Sequence, residues 1–246
     1  YFLNSIIFSI IILTFFVDKT FPIKSMIITG LITSLILILA KTNNPDGGLY
    51  HLPYVQILNE EKIIFGLNNL HFRFALATMF QYVSALFNNL YLGAEGITIP
   101  IAIIVSCFFY YLHNEIFKII KKNLKINYLI SIIYVILLVS SLYSFNRYSN
   151  YGNDVSLHIL YFLIFLLSLN YFFIDQNKDT YNLVLIFSVF LIINKITYIL
   201  VILFPILIFF NLKQKKIINI SNIFIFIFLG LWVLKNMIIS GCIVFP

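Results

Sequence analysis

The chain has 246 residues, of which 61% are hydrophobic and only 10% are charged, and its formal net charge is +7. A soluble domain carries about a quarter charged residues, so a chain of this composition, with a mean hydropathy of +1.00, must keep much of its surface in lipid. The positive charge does not indicate a nucleic-acid partner, because the lysines lie in short loops between apolar runs, as the positive-inside rule predicts for a membrane protein.

The apolar runs predict an all-α, polytopic bundle of transmembrane helices. A membrane-spanning helix needs about 20 mainly apolar residues. The runs cover about 1–17, 23–40, 97–112, 128–145, 155–174, 182–211 and 222–239, and a weaker run covers 72–92. The sequence begins and ends beside apolar runs, so we expect 1–246 to be a single transmembrane domain taken from a longer protein and truncated at both ends.

The lysine pattern predicts how the bundle lies in the membrane. Loops dense in positive charge should be cytoplasmic; they contain Lys118, Lys121, Lys122, Lys125, Lys213, Lys215 and Lys216. The 182–211 run is too long for one crossing and is interrupted by Asn194 and Lys195. We therefore predict two short helices that meet at this break on the outer face.

Counting the crossings back from the basic loop at Lys118 predicts that 41–96 is an outer loop and that one of the runs 72–92 and 97–112 does not span the membrane. The run 72–92 is predicted to be an amphipathic helix that lies in the membrane interface, because polar and small residues recur along it at helical spacing. This stripe contains Arg73, Ala77, Gln81, Ser84, Ala85 and Asn88.

The first outer loop opens with the segment NPDGGLYH, residues 44–51. Pro-Asp-Gly is common turn chemistry, so Asp46 is either a turn residue or an acid placed at the membrane surface. His51 follows five residues later and is either a hydrogen-bonded polar group or a direct participant, since histidine titrates near neutral pH and binds metals. Asp154, in a later outer segment, is either a helix N-cap or a second acid of the same site.

Positive side chains on the same predicted face complete the candidate site. Lys195 interrupts an apolar run, where a charge is costly and marks a functional candidate, and Lys235 repeats that situation. Arg73 is suited either to reach toward lipid headgroups or to bind a phosphate with its forked donors. Together with Arg147, these residues would form a positive cluster suited to an anionic, lipid-linked phosphate.

The order of these features resembles the GT-C superfamily of integral-membrane glycosyltransferases, in particular the branch with bacterial protein mannosyltransferases and lipid A aminoarabinose transferases. The resemblance lies in an acid that opens the first outer loop, interfacial helices after it, a second acid two crossings later, and a lysine-bearing helix break, INKIT at 193–197. The segments DGGLYHLP…NLHFRF and LKNMIISGCIVFP also resemble bacterial members. Better-known members often carry an acid or a proline pair where this chain reads NLHFRF.

The resemblance implies an inverting hexosyl- or pentosyltransferase of the bacterial plasma (inner) membrane, active on its periplasmic or extracellular face in the synthesis of cell-envelope glycans. Its donor would be a polyprenyl-phosphate-linked sugar, and its acceptor a glycan, lipid or protein. Asp46 would be the general base, and Arg147, Lys195 and Lys235 would stabilise the departing phosphate. His51 and Arg73 would contact substrate, and Asp154 and His71 would orient the acceptor or hold a divalent metal ion.

Three other interpretations remain open on the sequence. A transporter or flippase of lipid-linked glycans would use the same positive cluster without a base, although such folds often show internal repeats. A glycan polymerase or ligase of another membrane fold would share both substrate and location. A structural membrane subunit would not need the polar outer loop.

Overall fold

The computed structural model of the chain describes residues 45–61, 63–76, 78–122, 128–143, 153–174, 176–212 and 220–243. Throughout these residues the regular elements are helices, as the apolar patterning predicts. The apolar runs at 1–17 and 23–40, together with Arg147 and the basic segment 213–216, lie outside the described residues.

Short helical elements make up the first described region. A π-helical turn, Gly47–His51, continues directly into helix α1, Leu52–Glu60, and helix α2 covers Met79–Phe87. A helix of nine residues is about 14 Å long and cannot cross a hydrocarbon core of about 30 Å. Short 3₁₀ segments connect these helices at Leu67–Asn69, Phe72–Leu76 and Gly93–Thr98.

Six further helices form the bundle: α3 (Ile99–Lys122), α4 (Tyr128–Tyr143), α5 (Asn153–Phe173), α6 (Lys178–Asn194), α7 (Leu203–Asn211) and α8 (Ile220–Ser240). Within the described residues, three stretches are long and apolar enough to cross a membrane: Gly96–Ile116, Ser156–Phe173 and Ile223–Ser240. The last of these leaves large side chains such as Phe224 and Phe226 more than 60% exposed, as expected of a surface in contact with lipid.

The predicted break in the 182–211 run is confirmed. Helix α6 ends at Asn194, and Lys195 adopts an extended backbone with φ −154° and ψ 110°. The chain then continues as a 3₁₀ segment, Ile196–Ile202, and as α7, which packs against α5 and α6.

Helix α2 differs from the interfacial helix that we predict at 72–92. A 3₁₀ segment occupies Phe72–Leu76, and α2 begins only after Thr78, which forms a capping box with Gln81. Gln81 and Ser84, at 2% and 0% exposure, face the protein interior. A polar stripe marks a helix face that needs polar partners, and for Gln81 the protein supplies them, through Thr78 and His51.

One large apolar core joins the short elements to the bundle. It includes Val55 of α1, Phe80 of α2, Val105 of α3, Ile164 of α5 and Leu191 of α6, each at most 1% exposed. Close packing of this kind fixes neighbouring elements relative to one another. The first region is therefore anchored on the end of the bundle where α6 breaks.

Candidate functional site

Asp46 forms an ion pair with Arg73. The guanidinium Nη1 donates to Asp46 Oδ1 at 3.1 Å, and the side chains of Arg73 and Asp46 are 36% and 47% exposed. The guanidinium also lies over the Tyr50 ring, 4.5 Å from its centroid, where the negative ring face attracts a cation. Asp46 thus directly precedes the π-helical turn Gly47–His51, and its side chain connects that turn to the 3₁₀ segment Phe72–Leu76.

His51 ends the π-helical turn Gly47–His51, and its side chain is buried. Only 4% of its surface is exposed, and its Nδ1 lies 3.0 Å from Gln81 Nε2 on α2. Burial lowers the pKa of His51 from 6.5 to about 4, because desolvation disfavours the charged imidazolium. At neutral pH the ring is therefore uncharged.

Asp154 pairs with Lys195 at the other side of the site. Asp154 lies in the first turn of α5, where the helix dipole stabilises a carboxylate. Lys195, at the break after α6, donates to Asp154 Oδ1 at 2.5 Å. The pair joins the start of α5 to the end of α6, so the two sequence-predicted residues come together at one end of the bundle.

Both carboxylates act on the same imidazole. The charges of Asp46 and Asp154 raise the pKa of His51 against the larger effect of burial, and Arg73 lowers it further. His51 is therefore coupled electrostatically to the carboxylates of both ion pairs. Carboxylate, cationic and imidazole side chains of the first loop, α2, α5 and the break after α6 thus belong to one cluster.

Lys235 lies against the outer side of α2. Its Nζ is 4.6 Å from the centroid of the Tyr82 ring and 6.0 Å from that of Trp232. The end of α8 is fastened to the same region by backbone, since the Gly66 N–H donates to the Ile238 carbonyl at 3.1 Å. Gly66 has a φ of +64°, a conformation that glycine adopts without strain.

His71 contributes an exposed aromatic edge to the site. Its ring stacks on Phe72 at 5.1 Å and on Tyr50 at 6.5 Å, and its Nδ1 accepts from the Arg73 backbone N–H at 3.3 Å. In the part of the chain that the structure describes, no three His, Cys, Asp or Glu side chains come together in a group that could hold a metal ion. A divalent ion at His71 and Asp154 stays a prediction.

Two polar residues of the site, Gln81 and Asn194, are not among the site residues that the sequence predicts. Gln81 holds His51, and Asn194 accepts from the Phe80 backbone N–H at 2.6 Å while its amide donates to the Phe190 carbonyl at 2.6 Å. The motif TMFQ at 78–81 has the Thr-x-x-Gln spacing of a capping box, and this signal predicts the start of α2. Nothing local in the sequence pairs Gln81 with His51.

An apolar groove lies between α6 and α8. Its volume is about 360 Å³, and it is lined by Ile186, Val189, Phe190, Ile193, Phe224, Ile225 and Phe228. Ile193 immediately precedes the break at Asn194 and Lys195, so one end of the groove lies next to the break in sequence.

No curated protein and no solved structure matches the chain. A family model described as "Domain of unknown function (DUF8201)" matches residues 2–246, so the chain belongs to this family.

Proposed function

We propose that the protein is a membrane glycosyltransferase that moves a sugar from a polyprenyl-phosphate-linked donor to a hydroxyl of a glycan, lipid or protein acceptor. The observation that carries this proposal is that two carboxylate–cation pairs, Asp46–Arg73 and Asp154–Lys195, form in the same region and that both carboxylates act electrostatically on one buried imidazole. Transfer from a lipid phosphate needs a base for the acceptor and positive charge for the leaving group. Both kinds of group occur in this cluster.

In the proposed reaction, Asp46 takes the proton of the acceptor hydroxyl. A carboxylate accepts at both of its oxygens, so the bond from Arg73 to Oδ1 is compatible with proton transfer at Oδ2. The acceptor oxygen forms a new bond to the anomeric carbon from the face opposite the phosphate. The bond from that carbon to the phosphate oxygen breaks, and the lipid phosphate leaves with the electron pair, which inverts the anomeric centre.

Lys195 is the cation best suited to meet that phosphate, because it follows Ile193, which lines the groove between α6 and α8, by two residues. An apolar groove suits a hydrocarbon chain, since a polyprenyl tail makes no hydrogen bonds. The substrate phosphate would share the ammonium of Lys195 with Asp154. In this scheme Asp154 orients Lys195 and the acceptor, and Arg73 orients Asp46.

The test is an assay of transfer in membranes that contain the full chain. A panel of radiolabelled polyprenyl-phosphate hexoses and pentoses is supplied, and label that leaves the donor fraction is counted. Asp46→Asn should reduce transfer at least 100-fold, the lower range for loss of a general base, while the variant still inserts and folds. Transfer at the wild-type rate by Asp46→Asn would refute this mechanism.

Asp179→Asn is the matched control for that experiment. Asp179 lies in the first turn of α6, and the helix spans about 25 Å between that turn and the break at Asn194. The same chemical change there should leave transfer unaltered. If wild-type protein instead carries intact labelled lipid across sealed vesicles without releasing its sugar, the chain is a transporter of lipid-linked glycans.

A further inference from the structure

The capping box of α2 determines how the Gln81 side chain is oriented. The backbone N–H of Thr78 lies 3.3 Å from Gln81 Oε1, and the Thr78 hydroxyl lies 3.2 Å from the same atom. A backbone N–H needs an acceptor, which an amide NH₂ cannot provide. The amide oxygen must therefore face Thr78, and the amide nitrogen must face His51.

This orientation decides which nitrogen of His51 carries the proton. Gln81 Nε2 can only donate, and it lies 3.0 Å from His51 Nδ1, so Nδ1 must accept. An imidazolium has a proton on both nitrogens and could not accept there, and the neutral ring must then keep its proton on Nε2. The chain of hydrogen bonds runs from Thr78 through Gln81 to His51, and all three residues are at least 96% buried.

We infer that Gln81 is a positioning residue that holds His51 as the neutral tautomer with its proton on Nε2. Among the described residues, the charged groups that act on the ring are Asp46 and Asp154, which favour protonation, and Arg73, which opposes it. Burial outweighs the acids, and the donated bond from Gln81 acts in the same direction as burial.

The tautomer gives His51 a defined role if the proposed function holds, and this part of the inference rests on that function. Nδ1 is occupied by Gln81, so His51 cannot serve as a base through that atom. Its Nε2 carries the proton, so neither ring nitrogen can take a proton from the acceptor. Proton removal then falls to Asp46, and His51 acts as an uncharged member of the site.

Nitrogen-15 NMR of the full chain in lipid nanodiscs, with labelled histidine, tests the inference without any substrate. The chain has four histidines, and His51→Gln identifies the signals of His51 by their loss. At pH 7 we expect Nε2 to have the shift of a protonated nitrogen and Nδ1 that of an unprotonated one. A protonated Nδ1 in the wild type would overturn the inference, and this outcome does not depend on the folding of any Gln81 variant.

Gln81→Glu tests whether Gln81 is the cause. A carboxylate still accepts from Thr78 but cannot donate to His51, so Nδ1 should become protonated and the pKa of His51 should rise. Gln56→Glu is the matched control, since Gln56 is exposed on α1 and bonds only across one helical turn to Glu60 among the contacts seen; its spectrum should keep the wild-type His51 signals. An unchanged Nδ1 shift in both Gln81→Glu and Gln81→Met would show that Gln81 does not set the tautomer.

Failure of the two proposals can be told apart. Asp46→Asn should abolish sugar transfer yet keep His51 protonated on Nε2, because Gln81 is untouched. If the wild type transfers no sugar but shows the expected histidine spectrum, the proposed function fails and the tautomer assignment stands. If transfer occurs and the spectrum shows a proton on Nδ1, the proposed function stands and the tautomer assignment fails.

Discussion

Asn194 caps the start of α2 from a distance of 114 residues along the chain. Its side-chain oxygen accepts the backbone N–H of Phe80 at 2.6 Å, and both groups are buried. The first N–H groups of a helix have no partner within that helix, so a side chain from elsewhere can satisfy one. The break in the apolar run 182–211 therefore has a structural role, because it brings the Asn194 amide to the start of α2. This helix carries Gln81, which contacts His51.

Replacing Asn194 by leucine should destabilise the protein. The substitution leaves the Phe80 N–H buried without its acceptor, which costs about 1–3 kcal/mol, and it also removes the bond to the Phe190 carbonyl. We expect the midpoint of thermal unfolding in detergent to fall. The spectrum of His51 should broaden as well, because α2 loses its anchor at Phe80.

Asn182→Leu is the control for this change. Asn182 lies on the same helix, but its buried side-chain oxygen has no hydrogen-bond partner among the described residues. The same substitution there should alter the midpoint much less, or raise it. Equal losses in the two variants would mean that the amide of Asn194 contributes through packing and not through the bond to Phe80.

Acidification should destabilise the wild type through His51. The pKa of His51 is lowered from 6.5 in the unfolded chain to about 4 in the folded protein, so the unfolded state binds more protons between these values. Its contribution to stability is fully present above pH 6.5 and is lost as the pH falls toward 4, with a slope of at most about 1.4 kcal/mol per pH unit. Unfolding midpoints measured from pH 7 to pH 4 test this.

The comparison with His51→Gln isolates that contribution from the carboxylates that titrate in the same range. The difference in stability between wild type and His51→Gln should shift in favour of the variant as the pH falls. His71→Gln, at an exposed ring, provides the matched control for the loss of one histidine. A pH profile of His51→Gln that runs parallel to the wild type would show that His51 does not titrate with folding.

Lys195→Met should affect stability little and transfer strongly. Lys195 and Asp154 are 42% and 62% exposed, and exposed ion pairs contribute about 0–1 kcal/mol. The unfolding midpoint should thus stay close to that of the wild type. Under the proposed function, transfer should fall because the lipid phosphate loses its cation; wild-type transfer by this variant would leave Lys195 with a purely structural role.

The sequence predicts those parts of the fold that depend on local patterns. Apolar length predicts the membrane helices, and the interruption at Asn194 and Lys195 predicts the break after α6. Placing Asp154 and Lys195 on one face predicts that they lie at the same end of the bundle, although the ion pair between them is not predicted. Such features are predictable because the cost of burying backbone and charge in lipid acts on each segment separately.

The contacts around His51 could not be predicted in the same way. Gln81 belongs to a polar stripe that suggests a helix lying on water, yet the stripe faces His51 and the interior. An amphipathic pattern indicates that one face of a helix needs polar partners, but it does not indicate whether water or the protein provides them. Arg73 likewise reads as a phosphate or headgroup binder, and its nearest acid, Asp46, is 27 residues away in the chain.

Gly96 should be the least replaceable glycine among those described in the bundle. A Cβ at this position would lie 1.9 Å from the Phe87 carbonyl oxygen at the end of α2. Because that neighbour is backbone, Gly96→Ala must push the segment Gly93–Thr98 away from α2, and overpacking of this kind costs about 1–3 kcal/mol. We expect a lower unfolding midpoint and, since α2 carries Gln81, a perturbed His51 spectrum.

Gly230→Ala on α8 is the matched control, because a Cβ there meets no atom within 4 Å. Its midpoint should equal or exceed that of the wild type. If Gly96→Ala leaves the unfolding midpoint unchanged, the segment Gly93–Thr98 must pack less tightly against α2 than the structure shows.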